Sequence, residues 1–435
     1  MMKEVLYIGF IVLAGILCMT PLGAQVVERP NVVLIMADDM GYECLGVNGS
    51  TEYETPVLNR LASQGIRFTN FHSQPLCTPS RVKIMTGKYN YRNYEYFGYL
   101  NPAEFTFGQL MKDAGYATCA IGKWQLNGLY HGYPDAKNHK YPSQFGFDEF
   151  CLWQVTERAD KGERYANPLI EQNGEFLDLS EDTYGPDIFC EYGLNFIDRH
   201  QDQPFFLYYP MVLVHDPFVP TPDSKNWGDK SMRYDDDTVH FADMVNYADK
   251  VVGRIWDHLK NKNLDENTIL IFLGDNGNSR RVWSNTKNGP VRGGKGTTLN
   301  TATHVPFIFS WPQKIKQGAI CQDLIGIQDV FATLTDLTGQ QKLTDGISLL
   351  PLANGEDRKP RSSLLIYYNP VHSDNVNRYR NIYVQTKQYK LYRDGKFIDL
   401  IRDPLEENPI KSMSTDQLKV FQELMTEMKY LPPIP

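Results

Sequence analysis

Asn31-Val32-Val33-Leu34-Ile35-Met36-Ala37-Asp38-Asp39 decides the fold. Apolar residues follow Asn31 without a break and then stop at two carboxylates. Such a run fits a strand buried on both faces, as in a parallel sheet covered by helices. Two adjacent acids at its carboxyl end are costly to bury unless they are hydrated, paired or bound to metal. In open α/β sheets that end is also where ligands bind. A solvated loop start is the simpler alternative; the residues below favour metal.

Working outward, three more apolar runs end in polar residues. Residues 116–121 lead to Gly122-Lys123-Trp124-Gln125. Residues 205–209 and 211–214 read as one strand delivering His215. Residues 268–273 stop at Gly274-Asp275-Asn276-Gly277. Helical spacing marks 55–65, 107–114, 187–199 and 241–259 between them. This alternation predicts an α/β chain with a large mixed, mostly parallel sheet sandwiched between helices. Residues 126–182, rich in Gly, Pro, Asn and Tyr, read as long loops of the kind that often set selectivity. The polar stretch 354–363 marks a boundary. Beyond it, short alternating segments at 381–384, 389–392 and 397–400, with an Asp394-Gly395 turn, predict a smaller α+β subdomain with an antiparallel sheet. A helix over 415–429 closes it.

The net charge of −8 over 435 residues argues against a nucleic-acid-coating protein, so positive charge for an anionic ligand has to be local. Lys3, an apolar run over 5–17 and Leu22-Gly23-Ala24 before Gln25 read as a cleaved signal peptide over 1–24. Leu17, where a lipoprotein signal wants a small residue, argues against lipidation at Cys18. The expectation is an exported protein, periplasmic or secreted, with no stable membrane insertion. The six later cysteines form no Cys-x-x-Cys pair. Tyr89, Tyr91, Tyr94, Tyr96 and Tyr99 crowd one segment, for packing or for stacking on sugars.

Cys77-Thr78-Pro79-Ser80-Arg81 sits where a helix should start, with Thr78 as cap, Pro79 at the first helical position and Gly87 as the stop. A helix N-terminus and Arg81 together favour negative charge there. Alone, the stretch also fits an ordinary buried cysteine. Asp38, Asp39, Asp275 and Asn276 are hard oxygen ligands suited to Ca²⁺ or Mg²⁺. Arg81, Lys123 and Lys295, the last in the loop Arg292-Gly293-Gly294-Lys295-Gly296-Thr297-Thr298, suit an oxyanion whose charge grows in a transition state. The set points to metal-assisted displacement at phosphorus or sulfur.

The Cys-x-Pro-x-Arg stretch resembles the signature of type I, formylglycine-dependent sulfatases of the alkaline phosphatase-like superfamily. Asp38-Asp39-x-Gly41, Gly122-Lys123-Trp124, His215-x-Pro217, Asp275-Asn276-Gly277, Lys295-Gly296-Thr297-Thr298 and the stretch from Leu400 to Asn408 follow in that family's order, so the resemblance covers nearly all of the mature chain. It implies a sulfatase domain over 25–355 and a C-terminal subdomain over 356–435. It also implies a sulfuric ester hydrolase in which a maturase oxidises Cys77 to formylglycine, whose hydrate attacks sulfur; elimination then releases sulfate. The metal, calcium rather than magnesium, would be held by Asp38, Asp39, Asp275, Asn276 and the modified Cys77. Arg81 would steady the formylglycine, Lys123 and Lys295 would hold sulfate oxygens, and His215 would serve the leaving group. The export signal and loop tyrosines favour a sulfated carbohydrate as substrate.

Two positions depart from the family pattern. Gln125 stands where the family has a histidine that takes a proton during elimination, and an amide is no base near neutral pH; Gln125 is kept as a substrate-binding candidate. Leu299-Asn300-Thr301-Ala302-Thr303 replaces the usual Glu-Gly-Gly run. The rival readings are a phosphodiester or phosphonate monoester hydrolase of the same superfamily and a catalytically silent sugar-binding relative.

Overall fold

The computed structural model describes residues 29–128, 132–156, 162–315 and 317–435. The expected leader at 1–24 and Cys18 lie outside them. The strand Asn31–Ala37 is buried along its whole length. Parallel strands, Phe205–Pro210 and Thr268–Gly274, flank it on both sides. Together they lie inside a ten-stranded sheet. Its spatial order is Ala319–Cys321, Ile66–Phe68, Phe307–Ser310, Thr268–Gly274, Asn31–Ala37, Phe205–Pro210, Ala117–Lys123, Glu149–Trp153, Ile170–Gln172 and Glu175–Phe176. The five strands from Thr268–Gly274 to Glu149–Trp153 are parallel, and antiparallel pairing enters on either side of them.

Alternate side chains of the first strand enter different cores, as its unbroken apolar run requires. Val33 and Ile35 pack with the helices Gly185–Arg199 and Phe241–Asn261. Val32, Leu34 and Met36 pack with Cys77–Thr86, Phe107–Asp113 and Asp329–Thr338. Among the described residues no helix is long and apolar enough to cross a membrane.

Three expectations need correction. Residues 126–182 are more than loop, since Glu149–Trp153, Ile170–Gln172 and Glu175–Phe176 extend the sheet there. These strands are short and set among turn residues, which hides their period. The strand before His215 stops at Pro210. Residues 211–214 instead cross the end of the first strand, where Met211 N donates to Met36 O (2.8 Å) and Val214 N to Asp38 O (2.7 Å). Residues 304–309 read by their sequence as one more strand, but the strand begins only at Phe307.

The C-terminal sheet is an antiparallel meander of Leu364–Tyr368, Asn381–Gln385, Tyr389–Tyr392 and Phe397–Asp399. One face packs on the helix Thr415–Met428, whose Ser414 and Gln417 form a capping box. The other face lies on Leu76 and Cys77 through Leu364, Ile366, Tyr368 and Tyr383. Glu406, from the Leu400–Asn408 motif, ties this sheet to the Lys295 loop. Its buried carboxylate accepts from Lys390 Nζ (2.8 Å), Tyr392 OH (2.6 Å) and Asn300 N (2.7 Å). The run that departs from the family pattern is therefore anchored to this sheet.

Candidate active site

Both oxygen-ligand clusters stand at the carboxyl ends of adjacent parallel strands, so they meet. Asp39 turns into the left-handed region (φ 59°), and its N–H donates to Asp275 Oδ1 at 2.9 Å. Asn276 Nδ2 donates to Asp39 Oδ1 (2.8 Å) and Gly277 O (2.9 Å). Ligand atoms of Asp38, Cys77 and Asp275 lie within 4.8 Å of one another, as do those of Asp38, Asp39 and His215. Asp38 Oδ1 and Asn276 Oδ1 are buried without a hydrogen-bond partner. Burial, reinforced by Asp38 and Asp39, holds the Asp275 carboxyl well above the usual carboxylate range. Orphaned oxygens among mutually repelling carboxylates fit a hard divalent cation. Ca²⁺ and Mg²⁺ are both hard cations of this kind.

Asn278 braces the two loops. Its Oδ1 accepts from Gly41 N (2.8 Å), and its Nδ2 donates to Glu43 Oε1 (2.9 Å). Burial pushes the Glu43 carboxyl up to about 7. The unfolded chain ionises Glu43 above about 4.5, so the stability of its neutral folded form is present at low pH and is lost as pH rises to about 7. Glu43→Gln should therefore raise unfolding free energy by about 1–3 kcal/mol at pH 8 and leave it little changed at pH 4. Denaturant titrations at both pH values check this; an equal shift at both would contradict it.

The helix expected to start at Pro79, with Thr78 as cap, begins two residues earlier, at Cys77, and Leu76 at the cap position offers no side-chain bond. Thr78 does not cap; its hydroxyl accepts from Gly98 N (3.1 Å). Gly87 ends the helix with φ 68°, and all ten helical residues are buried. Val82 and Met85, which by their spacing predict a short apolar face, thus belong to a helix buried all round. Burial, only partly opposed by Lys123, raises the Cys77 thiol, so the unmodified side chain is a poor nucleophile at neutral pH. Arg81 Nη2 donates to Lys123 O (2.6 Å) and Nη1 to Trp124 O, locking the helix to the neighbouring strand end. Gly122 is required there: at φ 104°, a Cβ would come 2.1 Å from Pro210 O.

The remaining cations face the carboxylates. Lys123 Nζ lies 2.8 Å from Asp38 Oδ2. Lys295 Nζ pairs with Asp39 Oδ2 and donates to His215 Nε2 (2.8 Å). Burial alone would depress both lysines, but Asp38 beside Lys123 and Asp39 beside Lys295 carry them above the usual range, so both stay charged. His215 Nδ1 lies 2.6 Å from Asp216 O and 2.9 Å from Asp216 Oδ1. These acceptors place the proton on Nδ1 and leave Nε2 as the acceptor toward Lys295. The His215 hydrogen bond, acting against burial, holds the Asp216 carboxyl far below its usual range.

All nine residues singled out for catalysis or metal binding converge here: Asp38, Asp39, Cys77, Arg81, Lys123, His215, Asp275, Asn276 and Lys295. Gln125 stands beside them, buried and left-handed (φ 48°). Its N–H donates to Gln154 O (3.1 Å). Gln154 is also left-handed (φ 61°), and its buried amide has no partner among the described residues. Sequence reasoning missed Gln154, Asp216 and Arg164. Arg164 stacks 4.1 Å over the Trp153 ring, and its field reaches Lys123 and Asp216. Asp216 next to His215 was the one readable signal; the other two lie in the stretch taken for loop. The tyrosine cluster mainly packs: Tyr99 stacks on Tyr133 at 4.4 Å, and Tyr94 OH donates to Pro370 O (2.6 Å). None of the six described cysteines is bonded to another.

The chain matches the family described as sulfatase over residues 30–340 and the C-terminal region of N-sulphoglucosamine sulphohydrolase over 295–432. The N-acetylgalactosamine-6-sulfatase of Mus musculus is 31% identical over 76% of this chain and 67% of its own length. The N-acetylgalactosamine-6-O-sulfatase of Bacteroides thetaiotaomicron is 27% identical over 92% of this chain and 93% of its own. A solved chain described under glycosaminoglycan metabolism by Bacteroides thetaiotaomicron shares the fold, with a TM-score of 0.75, 24% identity and coverage of 92% of this chain and 99% of that one. The match over 30–340 runs through each motif that builds this pocket, and the chain belongs to the sulfatase family of the alkaline phosphatase-like superfamily, as a sulfuric ester hydrolase.

Proposed function

We propose that this chain is an exported sulfatase that removes sulfate from a sulfated carbohydrate, using a formylglycine made from Cys77 and a calcium ion. The observation that carries the reading is one largely buried pocket where three carboxylates, an orphaned amide oxygen and Cys77 face two charged lysines. The relatives named for 6-sulfated N-acetylgalactosamine favour a hexosamine sulfate. Residues 25–355 form the catalytic domain and 356–435 the subdomain that roofs it; 1–24 direct export.

Asp38, Asp39, Asp275, Asn276 and the oxidised Cys77 would hold the metal, which supplies Lewis-acid activation of the nucleophilic oxygen. Lys123 and Lys295 bind sulfate oxygens and neutralise charge that grows as the ester bond breaks. Arg81 fixes the start of the Cys77 helix against the strand end that carries Lys123. His215, with Nδ1–H held by Asp216, presents Nε2 to the bridging oxygen; in its doubly protonated form it passes the Nε2 proton to the leaving alcohol and keeps the one on Nδ1. Gln125 contributes hydrogen bonds and no proton transfer.

The test is sulfate release by protein co-expressed with a formylglycine-generating maturase. Turnover of 6-sulfated N-acetylgalactosamine is expected. Turnover of a small aryl sulfate with no release from any galactan, ulvan or glycosaminoglycan fragment would defeat the carbohydrate reading. Higher kcat/KM on a matched phosphate ester would favour the phosphohydrolase rival, and an unmodified Cys77 the silent one. For Gln125→His, kcat is expected to equal or exceed that of the parent, because a base is restored where elimination needs one. A collapse to background in a steady-state assay would assign Gln125 an essential role of its own.

A further inference from the structure

Beside the sulfate pocket the surface changes sign. A hollow of about 430 Å³ opens next to Lys295 and Asp216 and is lined by Arg280, Arg281 and Arg292. A second hollow, of about 420 Å³, shares Arg280 and Arg292 and continues to Tyr379 and Lys396 of the C-terminal sheet. Each has the volume of a small-ligand site, roughly 300–1,000 Å³.

The cations along this path are unequal. Arg281 is spent on Asp236, with contacts of 2.9 and 3.0 Å. Asp216 is the one carboxylate among the residues lining the two hollows, and it is committed to His215. Arg280 Nη1 donates to the Tyr379 hydroxyl (3.2 Å), with the guanidinium 5.6 Å from that ring. Arg292 Nε donates to Arg280 O (3.1 Å). Lys396 Nζ donates to Glu406 O (3.1 Å). Neutral groups thus hold these three cations, and among the described residues none of the three is ion-paired. On a chain of net charge −8, such a concentration of uncompensated positive charge in a concavity is suited to an anion. Trp283 stands across the hairpin from Arg292, paired in register with it and 58% exposed, its ring 5.8 Å from the guanidinium. An exposed aromatic beside a fixed cation offers a sugar both a stacking face and a charge.

We propose that Arg280, Arg292 and Lys396 form a second anion subsite, which takes the negative group of the sugar next to the one being desulfated. The substrate is then a polyanionic oligosaccharide rather than a lone sulfated sugar. This rests on the carbohydrate-sulfatase reading above. The neighbouring anion can be a sulfate or a uronate carboxylate, since both accept from guanidinium.

The test compares kcat/KM for the same terminal sulfate on a monosaccharide, a neutral tetrasaccharide, a disulfated tetrasaccharide and a uronate-bearing tetrasaccharide. The parent enzyme should prefer an anionic tetrasaccharide over the monosaccharide by roughly tenfold or more, the value of one well-placed charged contact. That preference should shrink as salt is raised. In Arg280→Gln/Arg292→Gln the ratio should fall toward that of the neutral tetrasaccharide, and Arg280→Lys/Arg292→Lys should recover part of it. Which anionic arm gains more identifies the group. No preference for either anionic chain in the parent, or a double variant that loses the same factor on all four substrates, overturns the subsite. Hydrolysis of aryl sulfate alone defeats the parent reading and the subsite with it, whereas turnover of all sugars at equal rates defeats the subsite only.

Discussion

Cys77→Ser is expected to abolish sulfate release, by roughly ten-thousandfold or more, the order of loss for removal of a covalent nucleophile. Cys77 is 2% exposed, and burial raises its thiol, so the unmodified cysteine is a poor nucleophile at neutral pH. Its position nevertheless places it against Asp38 and Asp275, where an oxygen in place of sulfur would join the ligand set. Two measurements together decide the matter: intact mass of the peptide spanning Cys77 from matured protein, and the rate of the serine variant. Full activity in protein whose Cys77 peptide carries an unmodified thiol would refute the formylglycine route. Substantial activity in Cys77→Ser would move the nucleophile elsewhere.

The second large effect is at Asp275, where stability and activity should separate. Burial first, then Asp38 and Asp39, push this carboxyl up, so without a cation the native state either holds a proton or pays for a third buried charge. A raised carboxyl costs stability once pH exceeds the ordinary carboxylate range, and an amide removes that cost. Asp275→Asn should therefore melt higher than the parent in chelator. It should also lose more than about a hundredfold in kcat/KM, a loss exceeding that typical of an outer-shell metal partner. Calcium at one hundred times its dissociation constant should stabilise the parent by about 2.7 kcal/mol and the variant much less. Thermal scans with chelator and with calcium provide the check. A variant that melts lower in chelator and responds to calcium as the parent does would remove Asp275 from the ligand set.

Much of the fold was readable because the central strands are buried on both faces and show it as unbroken apolar runs. Asn31–Ala37 and Thr268–Gly274 are the clearest cases, and their polar ends carried the site with them. Edge strands such as Glu175–Phe176 have two exposed residues and no period to read. Capping at Cys77 was misread because Thr78 spends its hydroxyl on Gly98, a partner that local sequence cannot reveal. The cation-lined hollows were unreadable for a similar reason. Arg280 and Arg292 lie in an ordinary polar stretch, and Lys396 over a hundred residues later; only folding sets them side by side.

The roof over Cys77 has a consequence for timing. The thiol is walled in by Leu76, Phe97 and a sheet whose strands begin only at Leu364, nearly three hundred residues further along the chain. At 2% exposure, Cys77 in the folded chain leaves an oxidising enzyme little surface to reach. On the proposed chemistry, Cys77 has to be converted during the interval in which its own segment exists and the C-terminal sheet has not yet docked. The order of synthesis and folding, rather than any feature of the finished pocket, then sets how many molecules become active.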